Sequence, residues 1–161
     1  MLTHERVLEA LSYDPLTGIF RWRVMNSWRR PIGSVAGTTN KRGYVVVCLD
    51  RHLVLGHRLA WFYVHGEWPE DQLDHEDRVK SHNAITNLRE AGNSQNHANL
   101  NPPAHNTTGF KGVYWHKKAG RWMASIKHNY KSIYLGLHDT AEQASEAYCA
   151  KARKLFGEFA A

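Results

Sequence analysis

The stretch NLNPPAHNTTG, from Asn99 to Gly109, constrains this 161-residue chain more than any other. Two adjacent prolines cannot continue a helix or pair inside a central strand, and no charged residue or apolar period runs through them. Such a segment divides a chain. It predicts one domain over residues 1–100, a linker over 101–108 and a second domain over 109–161, with no repeat or low-complexity tract on either side.

The part after the linker has the cleaner pattern. Lys111–His116, Arg121–Lys127 and Ser132–Leu137 read as three strands separated by turns at Lys118-Ala119-Gly120 and His128–Lys131. Alternation puts Val113, Trp115, Trp122, Ala124, Ile126, Ile133 and Leu135 on one face. Tyr114, His116, Arg121, Met123, Ser125, Lys127, Ser132 and Tyr134 fall on the other. Thr140–Phe156 follows as a helix, with Thr140 and Gln143 spaced as a capping box and Ala141, Ala144, Tyr148, Ala152 and Leu155 as its apolar stripe. One helix covers one sheet face, so the expectation leaves the other face open, and both tryptophans are expected in the core.

The part before the linker mixes element types. Thr3–Leu11 predicts a short helix opened by a threonine cap, and YDPLTG a turn feeding a strand at Ile19–Arg23. GYVVVCLDRHLVLGHRLAWFYVHG predicts two strands about a polar turn at Asp50–His52, then a helix closed by Gly66. The fold class expected is α+β.

Composition sets the broad class. Hydrophobic residues at 42% with 22% charged describe a globular chain. The apolar runs are too short to span a bilayer, and MLTHERVLEA lacks the apolar region of a secretory leader. Cys48 and Cys149 alone support neither a disulfide framework nor a four-cysteine zinc site, so any metal must use oxygen and nitrogen ligands. Residues 1–60 carry nine Lys/Arg against four Asp/Glu, residues 61–100 three against seven, and residues 101–161 nine against four. Basic parts flanking an acidic centre suit a polyanion gripped on both sides of a cation site.

That acidic centre contains DQLDHEDRVKSHNAITNLREAGNSQNHANL, Asp71 to Leu100. Asp74 is a hard oxygen donor suited to Mg²⁺, and the adjoining His75 is a general base that works near neutral pH. Alternation predicts these two on opposite sides of a short strand. NLREA predicts a second strand, and Asn93 or Ser94 caps a short helix carrying Asn96. Strand, loop, strand and helix would bring the Asp-His pair and Asn96 face to face. Asn93 and Asn99 read as turn residues, His82 as a solvated loop residue and His57 as a hydrogen-bonded core or cap histidine.

These residues resemble the HNH endonucleases of ββα-metal fold, and in particular phage and intron-borne members of the homing type. The H…N…H/N core would be His75, Asn87 and Asn96, and YDPLTG, GYVVV, HRLAW and NLRE extend the likeness over roughly residues 12–100. The resemblance implies a divalent cation, Mg²⁺ or another such as Mn²⁺, held by Asp74 and Asn96. It implies His75 as general base, Asn87 as the residue that orients it, and products with 5′-phosphate and 3′-hydroxyl ends. Asn83 stands as the alternative to Asn87, and His97 as the alternative to Asn96.

GFKGVYWHKKAGRWMASI, YLGLHDTAEQASEAY and KLFG resemble the Apetala-two/ERF-type DNA-binding domain. The resemblance implies that the open sheet face enters the major groove. Matching positions are Lys111, Tyr114, His116, Ser125, Lys127, Ser132 and Tyr134, and alternation adds Arg121. Few of them are arginine, the usual bidentate reader of guanine, which points toward phosphate contact. Arg21, Arg23, Arg29, Arg30, Lys41 and Arg42 are expected to add contacts from a strand-rich arm.

The reading is a nuclease acting on double-stranded DNA, not at a membrane, in the cytoplasm of a bacterial host if phage-borne. A monomer with one site would nick, and a dimer would be needed to cut both strands. The competing reading is a sequence-specific DNA-binding regulator with an inactive nuclease core.

Overall fold

The computed structural model describes residues 2–25, 30–100, 102 and 106–160. Arg29, among the expected DNA contacts, lies outside the described residues. The chain forms two compact units, Met1–Glu90 and Ala91–Ala161. The division thus precedes the Pro-Pro stretch that marks the linker in the sequence.

In the first unit, α1 (His4–Ala10) opens with the Thr3 hydroxyl accepting the Arg6 amide at 3.3 Å. A hairpin of β1 (Leu11–Asp14) and β2 (Ile19–Trp22) follows. Its turn is fastened by the Asp14 carboxylate, which accepts from the Leu16 amide at 3.0 Å and the Thr17 hydroxyl at 2.7 Å. Then β3 (Thr38–Thr39), β4 (Val45–Leu49) and β5 (His52–Leu55) form an antiparallel sheet. Next comes α2 (Gly56–His65), ending at Gly66 as the sequence predicts. Val7, Leu11, Phe20, Trp22, Val47, Leu49, Leu59 and Phe62 make one core from these elements. β6 (Gln72–His75) pairs with β7 (Leu88–Ala91), and a 3₁₀ turn at Ile85–Asn87 leads into the latter.

The second unit contains α3 (Asn93–Asn99), then β8 (Val113–His116), β9 (Arg121–His128), β10 (Lys131–His138) and α4 (Ala141–Phe156). The strands are ordered β10-β9-β8 and pair antiparallel, as expected. The Thr140 hydroxyl accepts the Gln143 amide at 3.2 Å and starts α4. Ala144, Tyr148, Ala152 and Phe156 of α4 are buried, with Val113, Ala124 and Ile126 from the sheet. A shift in pairing between Tyr134 and Gly136 leaves Leu135 turned to that core.

Three expectations change. Trp115 is 48% exposed rather than core, because β8 is an edge strand and α4 packs mainly on β9 and β10; its ring meets Trp122 edge-on at 5.2 Å. The first strand of this sheet begins at Val113, not Lys111. The N-cap of α3 is Gly92, whose amide donates to the Gln95 side-chain oxygen at 2.9 Å, rather than Asn93 or Ser94.

Candidate active site and nucleic-acid interface

β6 is covered on both faces: Leu73, Asp74 and His75 are all buried. Burying a carboxylate requires a partner, and Arg89 on β7 supplies one. Its Nε and Nη2 both reach Asp74 Oδ2 at 3.1 Å. The His75 Nε2 lies 3.2 Å from Asn83 Oδ1. A carboxamide oxygen only accepts, so Nε2 carries the proton and Nδ1 keeps the lone pair. Burial holds the His75 pKa below its ordinary value, although the Asn83 bond and the charges of Asp77 and Asp74 oppose the shift. The ring is therefore neutral and in one tautomer, the state a general base requires.

Asn83 is 1% exposed and closely surrounded. Its carbonyl accepts the Tyr13 hydroxyl at 2.7 Å, and the next residue but one, Ile85, donates its amide to Pro15 O at 3.2 Å. Gly18 has φ +73, and a Cβ there would sit 2.2 Å from the Asn83 carbonyl carbon. A Cβ on Gly56 would come within 2.7 Å of Asn83 Nδ2. Only glycine permits both approaches. The YDPLTG turn thus forms part of the mount for the residue that touches the His75 ring.

Asn87 acts on backbone instead. Its Oδ1 accepts the Asp77 amide at 3.0 Å, and its Nδ2 donates to Asp77 Oδ1 at 3.0 Å and to His82 O at 2.8 Å. These bonds fasten the loop that follows His75. Within the loop, His82 Nδ1 and Asp77 Oδ2 are 2.5 Å apart, so His82 is paired rather than merely solvated. Asp77 sits below its ordinary pKa: hydrogen bonds from His82, Val79 and Asn87 outweigh its burial.

Tyr44 and His57 complete the surroundings of the imidazole. The His57 ring meets that of His75 edge-on at 5.1 Å, and Tyr44 lies 5.4 Å from His57 and 6.2 Å from His75. His57 is 6% exposed, and its Nδ1 has no hydrogen-bond partner among the described residues, contrary to the expected bonded histidine. Desolvation, and then the charges of His75 and Arg58, push its pKa down to about 4.

Asn96 belongs to the second unit, where its amide donates to Gly92 O at 3.0 Å in the first turn of α3. Asn96 is half-buried, whereas the alternative His97 is exposed. In the same unit the strand register opposes Tyr114 to Met123, His116 to Arg121, Ser125 to Tyr134 and Lys127 to Ser132. Directly opposed residues share a face, so these side chains lie together on the side away from α4. The Tyr114 and Tyr134 rings are exposed.

A family model for HNH endonucleases matches residues 54–98, and one for the AP2 domain matches residues 108–158. Protein 3.8 of Escherichia phage T7 is 31% identical over 110 residues, covering 65% of this chain and 86% of that protein. The chain belongs to the HNH endonuclease family. A second relative, named Uncharacterized HNH endonuclease L560, comes from Acanthamoeba polyphaga mimivirus. It is 31% identical over 144 residues, covering 88% of this chain and 70% of the relative. No solved structure matches. The order of the two families along the chain, nuclease then AP2, is the order expected from the sequence, and it makes the protein a nuclease with a DNA-binding domain.

The donor chemistry of this HNH endonuclease fits a hard cation. No group of three His, Cys, Asp or Glu side chains gathers among the described residues. The Asp74 carboxylate is a hard oxygen donor of the kind that, with water and phosphate oxygens, suits Mg²⁺. Arg89 contacts Oδ2 of Asp74, which fixes the carboxylate plane and places a guanidinium cation beside that oxygen.

Other expected contact residues meet the protein itself. Lys111 Nζ donates to the carbonyls of His97, Ala98 and Leu100. Arg121 pairs with Asp139 at 2.9 Å. In the first unit Arg21 donates to Gly33 O and Arg23 to Leu8 O, both at 3.0 Å, while Arg30 lies 5.7 Å from the Trp22 ring centre. Lys41 and Arg42 are exposed. Arg89 and Tyr44 lie beside the Asp-His pair and Tyr13 bonds to Asn83. The motifs NLRE, GYVVV and YDPLTG contain all three, but none of them is assigned a role at the site from sequence.

Proposed function

We propose that the protein is a metal-dependent endonuclease that nicks duplex DNA, leaving 5′-phosphate and 3′-hydroxyl ends. The observation that carries the reading is the setting of His75: buried, held below its ordinary pKa, with Nε2 3.2 Å from Asn83 Oδ1, an arrangement that leaves Nδ1 to bear the lone pair. In this reading Nδ1 takes a proton from a water molecule whose oxygen attacks phosphorus. The P–O3′ bond breaks, the 3′ oxygen leaves with the bonding pair and takes a proton from solvent water to become a hydroxyl, and the attacking oxygen remains on the 5′-phosphate. Asp74 and Asn96 would hold Mg²⁺ or Mn²⁺, which supplies Lewis-acid stabilisation of charge at the scissile phosphate. Asn83 orients the ring and Asn87 the loop behind it. The sheet face bearing Tyr114, His116, Arg121, Ser125, Lys127, Ser132 and Tyr134 would lie against the duplex.

One site per chain supports nicking by a monomer. If phage-borne, the protein would act in the cytoplasm of the bacterial host cell. The Arg89–Asp74 ion pair is the one observation favouring a DNA-binding regulator with an inactive core. A supercoiled plasmid incubated with the protein and Mg²⁺, Mn²⁺ or chelator separates the two. Nicked circles that require the cation, and religate without end repair, are expected. Binding without nicking under every cation and salt condition would establish the regulator.

A further inference from the structure

The helix that carries Asn96 is poorly equipped to fold on its own. α3 spans Asn93–Asn99, only seven residues, and isolated helices this short are unstable in water. Its sequence, NSQNHAN, is rich in Asn, Ser and His, which are weak helix formers. Its last carbonyls have no partners within the helix. What supports it comes from the AP2 domain.

Three independent attachments do so. Lys111, just before β8, places its ammonium 3.0 Å from His97 O, 2.5 Å from Ala98 O and 2.6 Å from Leu100 O. A cation there satisfies orphan carbonyls and complements the negative end of the helix. At the other end, Asn93 Nδ2 donates to the Tyr130 hydroxyl at 3.3 Å, and the Asn129 amide donates to Ser94 Oγ at 3.4 Å. Between them Ala98 is buried in one cluster with Ile126, Tyr148, Ala152, Phe156 and Phe159. The compact unit that contains the AP2 domain accordingly begins at Ala91 and includes α3.

We infer that the AP2 domain holds α3, the helix that carries Asn96, in shape, and that Lys111 is the positioning residue which does so. This rests on the proposed metal role of Asn96. It reassigns Lys111, which the family pattern marks as a DNA contact, to carbonyls of the protein itself, and it makes the second domain more than a tether.

The test uses Lys111→Met in the full-length chain, read by backbone amide exchange, by DNA affinity in chelator and by nicking as a function of Mg²⁺. Exchange at Asn96–Asn99 should rise about tenfold as the helix opens more often. Half-saturating Mg²⁺ should rise, nicking at fixed cation should fall about tenfold, and DNA affinity should stay within about threefold. Tyr130→Phe, at an exposed ring that cannot unfold the domain, should raise exchange at the start of α3 in the same direction by less. Unchanged α3 exchange with weaker DNA binding and a shallower salt dependence would make Lys111 a phosphate contact and overturn the inference. So would raised exchange with an unchanged Mg²⁺ requirement. Asn96→Ala, run in parallel, judges the ligand reading separately: normal nicking by that variant removes the ligand role, while the exchange data still decide what supports α3.

Discussion

The surroundings of His75 and the open face of the AP2 sheet both present polar side chains, but by opposite physical means. Asp74, His75, Asn83 and Asn87 are 5%, 5%, 1% and 8% exposed, and their side chains are fixed by hydrogen bonds. On the sheet, Tyr114 and Tyr134 are 42% and 60% exposed, and strand register alone gives them and Lys127 their direction. Buried polar groups act as a unit in a low dielectric, where loss of one leaves its partner stranded. Exposed groups act nearly independently and are screened by salt. The first region is built for chemistry that depends on one geometry, the second for contact summed over many small terms.

The sharpest way to break that contrast is a pair of truncations. His75→Ala should lower the nicking rate by at least about a hundredfold, the usual worth of a positioned general base, with DNA affinity little changed. Tyr134→Ala should do the reverse, weakening affinity by about 1 kcal/mol while the rate on saturating DNA holds. Single-turnover nicking together with equilibrium binding reads both. A His75→Ala variant that nicks at the native rate would remove the assigned base.

Acid should expose the buried region next. An unfolded imidazole titrates near 6.5, whereas folded His57 is held at about 4. Above pH 6.5 both states are neutral and His57 contributes nothing to the pH dependence. As pH falls from 6.5 toward 4 the unfolded chain binds a proton that the folded one does not, so stability declines by about 3 kcal/mol across that window. His75, shifted in the same direction, adds to the decline. Denaturation at pH 7 and pH 5 should show it, and His57→Gln should flatten part of the slope. Equal stability at the two pH values in the native protein would mean that His57 is hydrated.

How far this was legible from sequence follows the same contrast. The AP2 sheet obeys a period of two, so its strands, its register faces and the Thr140-capped helix could be read from alternation and caps. The exception, Trp115, depends on which strand lies at the edge, and alternation does not carry that. The nuclease centre was legible only in part. Asp74, His75 and Asn96 stand in recognisable order, but the spacing of Asn residues could not decide which carboxamide meets the imidazole. Asn83 does, because the Asp14–Gly18 turn and Gly56 close around it, and that is a tertiary fact linking residues far apart in the chain. The Arg89–Asp74 pair and the role of Lys111 are invisible for the same reason: a charged side chain has the same letter whether it faces phosphate or a carbonyl.

Asn83 and Asn87 should therefore be distinguishable. Asn83→Ala strands the His75 Nε2 proton and should cost about 1–3 kcal/mol, together with a drop in nicking rate. Asn87→Ala removes bonds to the Asp77 and His82 backbone and should cost a similar amount of stability, with faster amide exchange confined to residues 77–82. If both variants lose activity equally at matched stability, orientation of the ring belongs to the loop as much as to Asn83.

The smallest effects belong to the sheet face, where they resolve what each charge does. Lys127 makes no ion pair among the described residues, whereas Arg121 is paired with Asp139 at 2.9 Å. A lysine that neutralises one phosphate contributes about one unit to the slope of log affinity against log salt, so Lys127→Ala should reduce the slope by about 1. Arg121→Ala should reduce it by less, since Asp139 already compensates part of its charge, and Asp139→Asn should tighten binding by less than about 1 kcal/mol. A larger slope change for Arg121 than for Lys127 would mean that the Arg121–Asp139 pair opens on DNA. The guanidinium would then be a direct reader on a face otherwise poor in arginine.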